Sequence, residues 1–205
     1  MLTRLMQGRG AWLVLAVAIL LPLVLAGFSP LLAWRDPIYI VAGFAGIITL
    51  PLLLAQPLLA AGLMPGLGLR AARFAHMLVG VGLLLAVVIH VAGLWVTSPP
   101  DVVDVLLLRS PTPFAIWGVI AMWAVFISAG LALFRMRLQL RWRSWRTMHS
   151  ILAVLIVVGT VVHALLIEGT MEVVSKWALC VLVVLAALRV LGEPATLSKL
   201  VKPGR

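Results

Sequence analysis

Six long apolar runs divide the chain, at 11–28, 38–60, 74–96, 113–134, 147–167 and 173–192, and none holds an acidic residue. A run of about 20 such residues, coiled as a helix, spans a hydrocarbon core of about 30 Å. The pattern predicts an all-α membrane bundle of six transmembrane helices. The second run carries Pro51, Gln56 and Pro57. A kink is expected there, with neighbouring helices covering the freed carbonyls. The first run follows Arg4 and Arg9 in the manner of a signal peptide. It exceeds the roughly 7–15 residues of such a segment, and five more runs follow it, so a retained helix is expected. No internal repeat of fixed period is evident. The reading is a single membrane domain, 1–205, with its core over about 38–192 and a short cytoplasmic tail at 193–205.

Composition agrees with the pattern. Of 205 residues, 64% are hydrophobic and 11% charged, against about 45–50% and about 25% in soluble domains. Mean hydropathy is +1.21. A chain this small has too much surface per volume to hide that apolar content from water, and the same figures exclude disorder. The single cysteine, Cys180, excludes a disulfide framework and a thiolate-held cluster.

The net charge of +10 is explained by where the charges fall. Thirteen of the sixteen Lys and Arg lie on alternate connections: Arg4, Arg9, Arg70, Arg73, Arg135, Arg137, Arg141, Arg143, Arg146, Arg189, Lys199, Lys202 and Arg205. Only Arg35, Arg109 and Lys176 lie on the other side. Basic residues accumulate on the cytoplasmic side, so both termini are expected inside. Five of six acids (Asp36, Asp101, Asp104, Glu168, Glu172) fall outside, and Glu193 inside. The basic surplus therefore needs no nucleic acid partner. Membrane lipid is the expected surrounding, in a multi-pass protein of a bacterial inner (plasma) membrane. Trp12, Trp142 and Trp145 fall near the inner boundary and Trp34, Trp95, Trp117 and Trp177 near the outer one, as interfacial belts do. Trp123, in mid-span, reads as core.

All four histidines lie inside runs: His76 and His90 in the third, His149 and His163 in the fifth. Each pair is 14 residues apart. Fourteen steps of about 100° return a side chain to nearly its starting direction, about 21 Å further along the axis. Both helices run from inside to outside. Laid side by side, they bring the histidines together at two levels, His76 with His149 and His90 with His163. Two opposed imidazoles per level can ligate an iron between them, and a haem is wide and apolar enough to sit there. A lone intramembrane histidine could instead bond only to a neighbouring helix. Four at matched depth and equal spacing favour ligation of two b haems. Zinc would want four ligands in one place, and neither level offers a carboxylate or cysteine.

Four residues inward of each histidine, toward the middle of its pair, stands a small residue: Gly80, Ala86, Ala153 and Gly159. Two readings stand: low relief against a flat macrocycle, or close helix packing. Arg73 and Arg146 each lie three residues before a histidine, within reach of an inner haem's propionates. The alternative is that they only obey the charge bias.

The segments Arg70–His90 and Trp142–His163, two His-x13-His helices placed third and fifth of six, resemble the ferric reductase-like transmembrane domain. That membrane core is shared by ferric reductases, NADPH oxidases and the haem-binding subunit of the periplasmic methionine sulfoxide reductase system. The resemblance covers about residues 38–192. It implies a di-haem b core that moves electrons across a membrane, with His76, His90, His149 and His163 as iron ligands, in the membrane component of an oxidoreductase. Ferric reductases and NADPH oxidases continue into FAD and NADPH domains. Only 193–205 follow the sixth run here, and no glycine-rich phosphate motif follows a strand. A separate donor is therefore expected: a diffusible reduced flavin, a cytoplasmic flavin reductase or an NAD(P)H dehydrogenase. The five arginines at 135–146 lead into His149 and would receive it, giving the order donor, inner level, outer level, external acceptor. The acceptor stays open among ferric iron, oxygen, quinone and a partner enzyme. The outer loop 97–112 is the expected contact. A quinol-linked cytochrome b subunit and a non-redox transporter are the competing functions. Gln56, Ser128 and Thr160 are the few polar groups a transport path could use.

Overall fold

The computed structural model describes residues 2–192. The tail expected at 193–205, with its basic residues, lies outside the described residues. Seven α-helices follow one another: α1 (Leu2–Gly27), α2 (Pro37–Ala60), α3 (Leu69–Thr97), α4 (Pro99–Leu106), α5 (Pro113–Phe134), α6 (Trp142–Leu166) and α7 (Val173–Leu191). No strand occurs among the described residues. All but the short α4 are long and apolar enough to cross a membrane, six in number as the pattern predicts.

Two boundaries differ from the apolar pattern. α3 and α6 each begin five residues early, at Leu69 and Trp142. A helix satisfies its own backbone and can continue past the hydrocarbon edge, while long arginine stems cover apolar surface and keep their heads wet. His76 and His149 consequently stand seven residues, two turns, inside their helices. α4 occupies part of the stretch expected as a loop, with prolines at its first turn, where a missing N–H costs nothing. α2 runs as one helix through Pro51 and Pro57.

Two of the acids assigned to the outer side, Asp36 and Glu172, cap helices. Asp36 Oδ1 accepts from Ile38 N at 2.7 Å, with Pro37 at the first helical position of α2. Glu172 accepts from Val174 N and Ser175 N, both at 2.7 Å, at the start of α7. Carboxylates belong at such ends, where free N–H groups and the dipole favour negative charge.

α2 packs along α3, and α5 along α6. α7 lies against α2 and α6, α1 lies against α2 and α7, and α3 also touches α5. α3 and α6 are not packed along each other, which corrects the expectation of two histidine helices side by side. Each is tied instead to its own hairpin partner. Gly93 of α3 has Ala42 where a Cβ would be, and Gly159 of α6 has the Trp117 carbonyl and Ala121. These close approaches need small residues.

One buried cluster lies mid-bundle, with Leu50, Leu53 and Leu54 of α2, Leu83 of α3, Val125 of α5, Ile156 of α6 and Leu179 and Val183 of α7. Leu83 and Ile156 fall midway between the histidines of their helices. An apolar layer therefore separates the two histidine levels. The outer faces are apolar too, with Leu13, Val14, Leu85 and Leu188 more than half exposed. Apolar surface this continuous is stable only against lipid.

Candidate functional site

Each histidine is held through Nδ1 by the adjacent helix of its hairpin. His90 Nδ1 lies 2.7 Å from the Ala42 carbonyl oxygen of α2. His163 Nδ1 lies 2.9 Å from the Phe114 carbonyl oxygen of α5. His76 Nδ1 lies 3.1 Å from the Gln56 carbonyl oxygen, and the Gln56 amide donates back to the His76 carbonyl at 3.3 Å. His149 Nδ1 lies 3.0 Å from Ser128 Oγ. A carbonyl can only accept, so Nδ1 carries the proton in His76, His90 and His163, and the lone pair sits on Nε2. Ser128 can serve His149 in the same sense. That is how a metal-ligating imidazole is ordinarily oriented: one nitrogen donates to a fixed acceptor while the other faces the metal.

The outer pair depends on two glycines. A Cβ on Gly46 would stand 2.8 Å from His90 Nδ1, and one on Gly118 would stand 2.8 Å from His163 Nδ1. Each glycine lies four residues after the carbonyl that its histidine uses, so one helical turn supplies both the acceptor and the room to reach it. The two hairpins share this construction. Ala42, Gly46 and Gln56 correspond to Phe114, Gly118 and Ser128 at an offset of 72, and Arg73, His76 and His90 to Arg146, His149 and His163 at 73. The structure thus reveals an internal repeat of two helix pairs that the sequence alone did not.

At the inner level the His76 and His149 rings come together, with centroids 6.2 Å apart and planes at 75°. Two metal–imidazole bonds of about 2 Å, each with a ring centroid about 1 Å beyond its nitrogen, put centroids about 6 Å apart. The observed spacing fits one iron between the rings. Trp145 stacks on His149 at 5.2 Å and 9°, and Trp142 on Trp145 at 5.1 Å. The Arg135 guanidinium lies 4.7 Å from both indole centroids, a cation–π arrangement. Trp145 Nε1 is buried without a partner. It is an unused donor on the ring that stacks on His149. Phe114 sits edge-on to the His163 ring at 5.6 Å.

The remaining predicted positions divide. Gly80 faces α2, its Cβ direction meeting the Gln56 amide at 3.2 Å, and Gly159 faces α5. For these two, helix packing is the observed role. Ala86 is buried and Ala153 half-buried. Arg73 is exposed and Arg146 half-buried, each one turn before its histidine at the same end of the bundle. Gln56 and Ser128, expected only as polar groups for a transport path, are histidine partners instead. Ala42, Gly46, Phe114 and Gly118 join the outer pair without a signal in the sequence. Trp145, assigned to an interfacial belt, is a ring partner of His149. Among the described residues no three of His, Cys, Asp and Glu converge.

Comparison with curated proteins and with solved structures gives no match. The model of one family, the ferric reductase like transmembrane component, matches residues 42–160. The match starts at the carbonyl partner of His90, includes His76, His90 and His149, and stops three residues before His163. It takes in more than half of the chain, from the α2–α3 hairpin into α6, and the chain therefore belongs to the family of ferric reductase-like transmembrane components.

Proposed function

We propose that this protein conducts electrons across a membrane through two bis-histidine b haems, from a cytoplasmic reduced flavin or flavoprotein to an acceptor at the outer face. The observation that carries the proposal is the set of four imidazoles with Nδ1 tied to a neighbouring helix and Nε2 left for a metal. Membership of the ferric reductase-like family points the same way, since that family suggests transmembrane electron transfer.

The residues fit such a group. His76 and His149 would hold the inner iron, and His90 and His163 the outer one. Bound haem supplies a one-electron couple at each level. The chain tunes that couple by donation from Nδ1–H to carbonyl oxygens, which raises the electron-donating power of Nε2. Trp145 fixes the ring plane of His149, and its free N–H, with Arg73 and Arg146, provides polar contacts toward the inner end. The layer around Leu83 and Ile156 keeps water from between the levels. The Arg135–Arg146 segment provides a positive surface where a cytoplasmic donor would approach, and charge complementarity acts chiefly on encounter rate. Gln56 and Ser128 are committed to histidines, which leaves the transporter reading little polar lining.

Vesicle reconstitution tests the proposal. Reduced flavin generated inside by a flavin reductase and NAD(P)H should reduce an impermeant acceptor outside, at a rate that falls as salt rises. No transfer above protein-free vesicles would refute conduction, and a salt-independent rate would remove the arginine surface from the account.

A further inference from the structure

Lys176 is buried, with 7% of its surface exposed, the one charged side chain so placed among the described residues. Lysine is almost never buried to this degree without a partner, because an uncompensated ammonium away from water is strongly unfavourable. Its Nζ donates one hydrogen bond, 2.9 Å to the Ile167 carbonyl. An ammonium has three N–H groups, so two donors and the whole charge remain to be matched. The neighbouring acid is already used: both Glu172 oxygens accept from the first turn of α7.

The position gives the missing partner its chemistry. Ile167 follows α6, and its N–H donates to the His163 carbonyl at 3.1 Å. The Nζ of Lys176, from α7, therefore meets the chain one helical turn after His163, at the end of the bundle away from His76 and His149. If His163 holds an iron there, the carboxylates of that haem must leave the hydrocarbon at this same end. A buried cation with two free donors is what such a carboxylate requires. We infer that Lys176 is the counter-charge for a propionate of the outer haem. The inference rests on the di-haem reading. The simpler role, capping the carbonyl end of α6, uses the bond to Ile167 but leaves the charge unexplained.

Substitution separates the two roles. Lys176→Gln keeps a donor for Ile167 and removes the charge; Lys176→Arg keeps both. Loss of a cation near an iron favours its oxidised form. In Lys176→Gln the outer haem's reduction equilibrium should shift toward the oxidised state by about tenfold, about 60 mV for one electron. The inner haem should not move, Lys176→Arg should stay near wild type, and the redox-difference infrared bands of the propionates should change in the glutamine variant only. An unchanged outer haem in Lys176→Gln would leave Lys176 as a cap alone and overturn the inference. If that variant fails to accumulate, His76→Ala protein, which retains the outer pair, can be stripped and reloaded. Haem dimethyl ester should bind it about tenfold more weakly than the free acid, and equal affinity would overturn the inference. Wild-type protein purified without any haem absorption would instead refute the di-haem reading on which it rests.

Discussion

At the scale of single residues, the histidines matter less as polar side chains in lipid than for which of their nitrogens is occupied. Three backbone carbonyls and one hydroxyl take Nδ1, and this decides what Nε2 can do. The outer pair has the least room for error, because Gly46 and Gly118 stand directly behind the rings they admit. A methyl at either position would push against a ring locked by its hydrogen bond. Gly46→Ala or Gly118→Ala should cut outer-haem affinity by about 10–100-fold, the usual scale for losing an orienting partner of a metal ligand. The inner haem should remain, which spectra of the purified variants will show. Ser128→Ala should act in the same range on the inner haem alone, by removing the hydrogen-bond partner of His149. The inner rings also carry a spectroscopic signature. Planes at 75° are near perpendicular, so the oxidised inner haem should give a highly anisotropic low-spin paramagnetic resonance signal. A rhombic signal of the kind that parallel rings produce would contradict the geometry.

At the scale of elements, the hairpin of two antiparallel helices is the unit, and it occurs twice. Its outlines were legible in the sequence. Hydrophobic run length placed six helices, and the 14-residue interval put each pair of histidines on one face. The partners were not legible. Ala42 and Phe114 act through backbone carbonyls, which leave no side-chain mark, and glycine is too common here for Gly46 and Gly118 to stand out. Nor was the repeat, since its two helices match at different offsets, 72 and 73, and several matched positions differ: Gln56 corresponds to Ser128, and Ala42 to Phe114. Helix ends were partly legible, because apolar pattern marks the hydrocarbon and not the end of hydrogen bonding. The cap of α7 gives a test at this scale. Backbone N–H groups of Ser175 and Val174 hold the Glu172 carboxyl below its ordinary range. A depressed folded-state value means stability that is complete above the ordinary carboxylate range and lost as pH falls through the lowered one. Detergent-solubilised protein should melt at lower temperature as pH drops through that window, and Glu172→Gln should flatten this part of the profile. An identical pH dependence in both would remove the carboxylate from the cap.

At the scale of the whole molecule, two histidine levels stand at opposite ends of an apolar bundle, divided by a leucine- and valine-rich layer. Carboxylate caps mark the end that carries His90 and His163, and arginines the end that carries His76 and His149. From the charge bias, the arginine end is expected in the cytoplasm. Reporters fused at Pro100 and at Arg205 should then give opposite answers, outside and inside, and matching answers would refute the arrangement. If each level holds its own haem, haem content per chain in wild type, His76→Ala and His90→Ala will report it. About two b haems are expected in the wild type and about one in each variant, following the two ligand pairs. The outer one should be lost in His90→Ala and the inner one in His76→Ala. Wild-type protein without haem, or both variants with full haem content, would contradict it.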